Sequence, residues 1–168
     1  MNQRPATIKS TFTPIDSTEG RMIASAYSIS LDSEKAPEFI DITDRVIAAV
    51  REANITMGIA TVYSKHTTAA IKINELEPLL MEDLENLLEH IAPKDGTYRH
   101  NDFDVRTVNM NEEESPNGHS HCQHLALGTS ETIPIISGEL QLGTYQRIFF
   151  IELDCPRPRE AIVQVMGV

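Results

Sequence analysis

The chain has 168 residues, 40% hydrophobic and 23% charged, and its 25 acidic against 14 basic side chains give a formal charge of −11. That length suits one globular domain, and the composition excludes a disordered, collagen-like or coiled-coil chain. An acidic surface repels phosphate backbones, which argues against general nucleic-acid binding, and the longest apolar run, Ile148–Ile151, is too short to span a bilayer.

The first residues, Met1–Pro5, do not begin a basic-then-apolar leader, so no secretory signal is expected. Ala6–Phe12 and Met22–Leu31 read as strands around the turn Ser17-Thr18-Glu19-Gly20. Ile42, Val46, Ala49 and Val50 recur at helical spacing, with Thr43 or Asp41 to cap the helix and Asn54 to close it. Ile55–Ser64 reads as a strand with Ile55, Met57, Ile59 and Tyr63 on one face, and Thr67–Glu75 reads as another. A second helix starts near Pro78, carries the stripe Leu80, Leu84, Leu87, Leu88 and Ile91, and stops before Pro93. His100–Asn117 is a polar loop, too long for a passive connection and therefore mobile or part of a site. A short helix over His119–Leu127 stops at Gly128, and strands follow near Thr132–Ile136, Tyr145–Leu153 and Ala161–Met166. Runs of strands interrupted by helices without βαβ alternation define an α+β class, a single domain over 1–168 with a largely antiparallel sheet.

Several polar groups stand out against this frame. Alternation along the strand after Ser64 puts Ala69, Ile71 and Ile73 on the core face and His66, Thr68, Ala70, Lys72 and Asn74 on the other. That second row is either a solvated sheet face or a polar ligand face. Asp83 falls within the apolar arc of the second helix, so it is expected to be partly buried, as a structural ion-pair partner or as a site carboxylate. His119 and His121 form an HxH pair, and His121 and His124 are three apart, spacings that align imidazoles on a strand or a helix respectively. Such imidazoles could hold a zinc-like divalent ion with a carboxylate from elsewhere, or could be packing residues. Arg157 and Arg159 could fork onto a phosphate or offset Glu152 and Asp154. Cys122 and Cys155 fall in no CxxC or CxxH spacing and are expected as free thiols in a reducing cytoplasm. There is no Walker loop, GxGxxG or GxSxG, which removes the common nucleotide and serine-hydrolase readings.

The order of motifs resembles the YjbQ-like family, also called the secondary thiamine-phosphate synthase family. The resemblance is carried by His66-Thr67-Thr68-Ala69, Asn74-Glu75, Asp83, Tyr98-x-His100-Asn101, His119-x-His121 and Leu127-Gly128-Thr129-Ser130. It continues through Ile133-Pro134-Ile135, Gly138, Leu142-Gly143-Thr144-Tyr145-Gln146 and Arg157-Pro158-Arg159, and so covers the chain from about residue 20. It implies a compact α+β fold, a homotrimer, and a divalent metal ion (zinc or magnesium) near the histidines. The ligand it implies is His121, with His66, His100 and His119 beside it. It implies catalytic roles for Asn74, Glu75, Asp83 and Gln146. Thr67, Thr68, Lys72, Arg157 and Arg159 are implied to bind a small phosphorylated substrate.

The implied activity is that of a thiamine-phosphate synthase-type transferase, which joins a pyrimidine diphosphate to a thiazole phosphate. The alternatives are a metal or small-ligand binding protein without turnover, and a metal-assisted hydrolase of a phosphorylated metabolite. The expected setting is cytoplasmic, with neither nucleic acid nor membrane as partner. Two features depart from the family pattern: Leu76 stands where Asn is frequent, and the loop Asp104–Ser115 is long and acidic. With few basic residues next to the motifs, the sequence suggests that charge for a diphosphate comes from the metal.

Overall fold

The computed structural model describes residues 16–111 and 114–168, so the strand expected over Ala6–Phe12 lies outside the described residues. The elements are β1 (Ile23–Asp32), β2 (Glu38–Asp41), α1 (Thr43–Ala53), β3 (Met57–Ser64), β4 (Ala69–Glu75), α2 (Pro78–Ile91), α3 (Gly118–Leu127), β5 (Ser130–Ile136), β6 (Glu139–Leu140), β7 (Gln146–Glu152) and β8 (Pro158–Gly167). A single 3-10 turn, Arg99–Asn101, precedes the long loop. The strands form two antiparallel sheets, ordered β1-β8-β3-β5-β6 and β2-β7-β4. This is the α+β architecture expected from the sequence.

The sheets pack face to face. Ala60 and Val62 of β3, Ile133 and Ile135 of β5, and Val163 and Val165 of β8 meet Ile71, Ile148 and Phe150 from the smaller sheet. Val46, Ala49, Val50 and Ala53 of α1 complete this core. The other face of the smaller sheet, Ala70, Phe149 and Ile151, is covered by Leu88 and Met81 of α2 and Leu127 of α3. β7 is therefore buried on both faces, which explains its unbroken apolar run. The polar row expected on β4 belongs to this helix-covered side: Ala70 is buried and Lys72 pairs with Glu131 of β5 at 2.6 Å.

Helix boundaries follow from local chemistry. Asp41 accepts hydrogen bonds from the Thr43 amide and hydroxyl at the start of α1, and Asn54 closes the helix with φ of 51°. Glu77 accepts from the Leu80 amide ahead of Pro78, and Gln123 of α3 donates to the Leu88 and Ala92 carbonyls where α2 ends.

Two expectations about faces are corrected. In β3 the buried side is Ala60, Val62 and Ser64, while Ile59 and Tyr63 are exposed. Both parities of this strand carry apolar residues, and pairing with β8 (Ala60 with Val165, Val62 with Val163) selects the inner one. In α2 only Leu88 is fully buried, and Leu79, Leu87 and Ile91 are exposed together with Asp83. The apolar arc of this helix is wider than the strip that touches the sheet, so Asp83 needs no buried partner.

Candidate functional site

Three connections open at one end of the two sheets and line a pocket of about 1450 Å³. Its walls are the β3–β4 link (Lys65–Thr68), the α2–α3 connection (Arg99, His100, Arg106 and Glu114 among its residues) with the start of α3 (Asn117, His121), and the β7–β8 link with the first residues of β8 (Asp154, Arg157, Arg159). Its lining carries Lys65, Arg99, Arg106, Arg157 and Arg159 together with Glu114 and Asp154, and two of the cations are paired with carboxylates just outside it, Lys65 with Glu160 and Arg159 with Glu152. Four of these five cations are therefore ion-paired, and Arg99 is the one without an ion-pair partner among the described residues.

Glu152 underpins the floor without lining the pocket itself. It is fully buried and takes both Nε and Nη2 of Arg159, at 2.5 and 2.7 Å. It also accepts from the Leu153 and Asp154 amides and from the Ser33 hydroxyl. Burial alone would push its carboxyl up, but the Arg159 hydrogen bonds and the Asp154 amide hold it below the ordinary glutamate value. Arg159 also donates to the Thr68 hydroxyl at 3.0 Å, so the β1–β2 link, the β3–β4 link and both ends of the β7–β8 link meet at one ion pair. Of the two sequence readings of the arginines, the ion-pair one is observed: Arg159 and Arg157 offset Glu152 and Asp154, and both also line the pocket. Arg157 keeps 41% of its side chain exposed while bound to Asp154 at 2.7 Å, and so retains donors for a ligand.

The histidines divide. His100 and His121 lie side by side, ring centroids 4.6 Å apart, and the buried Nε2 of His100 has no hydrogen-bond partner among the described residues. Burial, and next the His100 charge, hold the His121 imidazole below its ordinary value. Arg106 bonds Glu114 and the His100, Val108 and Asn109 carbonyls, pinning the long loop over this pair. His66 lies in the β3–β4 wall, its ring edge-on to Phe150 at 6.2 Å, and its Nε2 accepts from the Glu160 amide at 3.1 Å. His119 turns inward, because residues two apart on a helix diverge. It is buried, packs against Tyr98, and its Nε2 donates to Ser120, whose hydroxyl donates to the Leu153 carbonyl. His124 bonds the Ala69 carbonyl.

The four-histidine ligand set does not fit one ion. His66 Nε2 is occupied by an amide, His119 faces the interior, and no three His, Cys, Asp or Glu side chains among the described residues converge as a metal site. His100 and His121 offer two nitrogens where a catalytic zinc takes three protein ligands.

The pocket brings together Thr67, Thr68, Arg157, Arg159, His66, His100 and His121 from the sequence-derived set. It leaves out the rest. Lys72 and Asn74 border a smaller apolar cleft beneath α2, and Asp83 is exposed. Glu75 pairs with Gln146 at the opposite end of the smaller sheet, about 20 Å along β4 from Thr68. Both of these are exposed, and Gln146 accepts from the Gly143 amide. Sequence reasoning missed Lys65, Arg99, Arg106, Glu114, Asn117 and Asp154 as pocket residues. Two signals were present: Arg106 is the one basic residue of the 104–115 loop, and Arg99 lies inside the Tyr98-x-His100-Asn101 motif. Cys122 and Cys155 are free thiols, and no helix among the described residues is long and apolar enough to cross a membrane.

Fold and site together define a two-sheet α+β protein with a basic, histidine-lined pocket at the strand ends. The chain belongs to the UPF0047 protein YjbQ-like family, whose model matches residues 27–168. It is similar to a UPF0047 protein of Methanothermobacter thermautotrophicus, 41% identical across 83% of this chain and 90% of that one. The UPF0047 protein YugU of Bacillus subtilis is 32% identical across 83% and 98%. Among solved structures, a YbjQ-like protein of unknown function from Sulfolobus solfataricus superposes with a TM-score of 0.79 at 32% identity, covering 88% of this chain and all of that one. A YjbQ/UPF0047 family protein of Clostridium acetobutylicum gives 0.72 at 36% identity, covering 83% and 98%.

Proposed function

We propose that the pocket binds a small phosphorylated molecule and that the protein is a thiamine-phosphate synthase-type transferase. The observation that supports this reading is that five guanidinium and ammonium groups of an acidic protein line one cleft, Arg99 without an ion-pair partner among the described residues and Arg157 partly exposed. In such a transfer the thiazole nitrogen attacks the pyrimidine methylene. The new carbon–nitrogen bond forms as the carbon–oxygen bond to pyrophosphate breaks, and the departing oxygens collect the charge. Catalysis then consists of positioning and leaving-group neutralisation, which fixed arginines supply. Arg157, held by Asp154 yet partly exposed, and Arg99 of the 3-10 turn are the side chains this reading assigns to that role. No step is routed through a metal, because the histidines do not form one ligand set.

A homotrimer is part of the same reading. Asn74, Glu75, Asp83 and Gln146 lie outside the pocket of their own subunit, so a catalytic role for them requires that a neighbouring copy receive them. Light scattering that returns a monomer mass rejects this arrangement.

The test of function is incubation with a pyrimidine diphosphate and a thiazole phosphate, with the product followed by chromatography and pyrophosphate release measured in parallel. Turnover by the wild type that falls at least tenfold in Arg157→Ala is the expected result. Pyrophosphate binding without product would favour the binding-protein alternative, and neither binding nor product would reject both readings. Elemental analysis of wild type and His121→Ala tests the divalent ion: equal metal content in the two rejects His121 as its ligand.

A further inference from the structure

We propose that His66 is a fixed, neutral hydrogen-bond donor of the pocket, presenting Nδ1–H to an oxyanion of the ligand and acting neither as a metal ligand nor as a base. β3 ends at Ser64, which pairs with Ala161 of β8. One residue earlier on β8, the Glu160 amide has run past the end of β3, and the His66 imidazole takes the vacant acceptor position with Nε2 at 3.1 Å. A backbone N–H can only donate, so Nε2 must keep its lone pair. The proton of a neutral ring then resides on Nδ1, and an imidazolium would set two N–H groups against each other.

The ring has little freedom to escape this assignment. Its face is set by the edge-on contact with Phe150, which is fully buried, and its own amide donates to the Ser64 hydroxyl at 3.3 Å. His66 lines the same pocket as Arg157 and Arg159, and its Nδ1 has no partner among the described residues. A neutral imidazole held by a backbone amide, with its other nitrogen free to donate, can bind oxyanions without a proton to lose.

This role rests on the anionic-ligand reading, and the experiment separates the two. In protein labelled with ¹⁵N at histidine, the His66 signals are identified by their loss in His66→Gln. A pyrrole-type Nδ1 and a pyridine-type Nε2 are expected, with Nδ1 shifting when inorganic pyrophosphate is added. His66→Gln keeps an acceptor for the Glu160 amide but removes the Nδ1 donor, so it should melt close to wild type and bind pyrophosphate roughly tenfold more weakly or worse. His66→Asn keeps a donor near Nδ1 and loses the acceptor, so it should bind better than His66→Gln while melting lower. An Nε2–H tautomer or an imidazolium at neutral pH overturns the proposal. So does wild-type affinity in His66→Gln, or an Nδ1 that ignores pyrophosphate while the protein binds it. If the wild type does not bind pyrophosphate, the transferase reading falls, and the tautomer alone then supports or overturns the assignment of His66.

Discussion

Glu152→Gln probes the pocket floor with the least change of shape. The native carboxylate is fully buried and accepts from Nε and Nη2 of Arg159, the Leu153 and Asp154 amides, and the Ser33 hydroxyl. Glutamine fills the same volume but turns one acceptor into a donor pair that faces these donors, and it leaves the buried Arg159 charge without its counter-ion. Breaking a buried pair in this way costs about 3–5 kcal/mol. For a chain of this size each kcal/mol moves the melting temperature by about 2–4 °C, so a drop of roughly 6–20 °C is expected. Arg159→Met should cost a similar amount, since it strands the carboxylate.

The double variant Glu152→Met/Arg159→Met removes both charges. It should therefore destabilise by less than Glu152→Met and Arg159→Met added together, with a coupling of about 2 kcal/mol or more. Some cost remains, because the Leu153 and Asp154 amides lose an acceptor. Urea unfolding at neutral pH measures wild type, the single variants Glu152→Gln, Glu152→Met and Arg159→Met, and the double variant. Single variants within about 1 kcal/mol of wild type, or strictly additive effects, would refute the view that this pair organises the floor.

The exposure of Asp83 means that Asp83→Asn should change stability by no more than about 0.5 kcal/mol in urea melts, and a loss of several kcal/mol would contradict the placement of α2. Burial first of all holds His66, His119 and His121 below the ordinary histidine value, so the folded state resists protons that the unfolded chain accepts. Stability from these groups is complete above about pH 6.5 and is lost as pH falls below it, and a melting temperature that stays flat from pH 7.5 to about 5.5 would contradict this. Gly58 and Gly167 face each other on β3 and β8, where a Cβ on Gly58 would overlap the Met166 carbonyl oxygen. Gly58→Ala should therefore cost about 3 kcal/mol or more, measured by chemical unfolding, and a wild-type midpoint would exclude so close an approach.

What the sequence determined by itself is local. Asp41, Asn54, Pro78, Pro93 and Gly128 bound helices close to where they occur, because caps, fixed φ and missing amides act within a few residues. Most strands were legible from apolar runs and turns, and the HTTA and HxH motifs pointed to part of the pocket. The four-residue β2 was missed, since it is stabilised by Phe149–Glu152, far away in sequence. Which side of β3 is buried, and how much of the α2 arc touches the sheet, are properties of register and docking that hydrophobicity alone leaves degenerate. The site shows the same division. His119 and His121 are neighbours in sequence, yet the helix sends one into the core and the other into the pocket. Lys65, Arg99, Arg106, Arg157 and Arg159 come from three separate connections, so their shared cleft exists only once the strand ends are brought together. Charge adds up through space, and only the tertiary structure decides which charges are near.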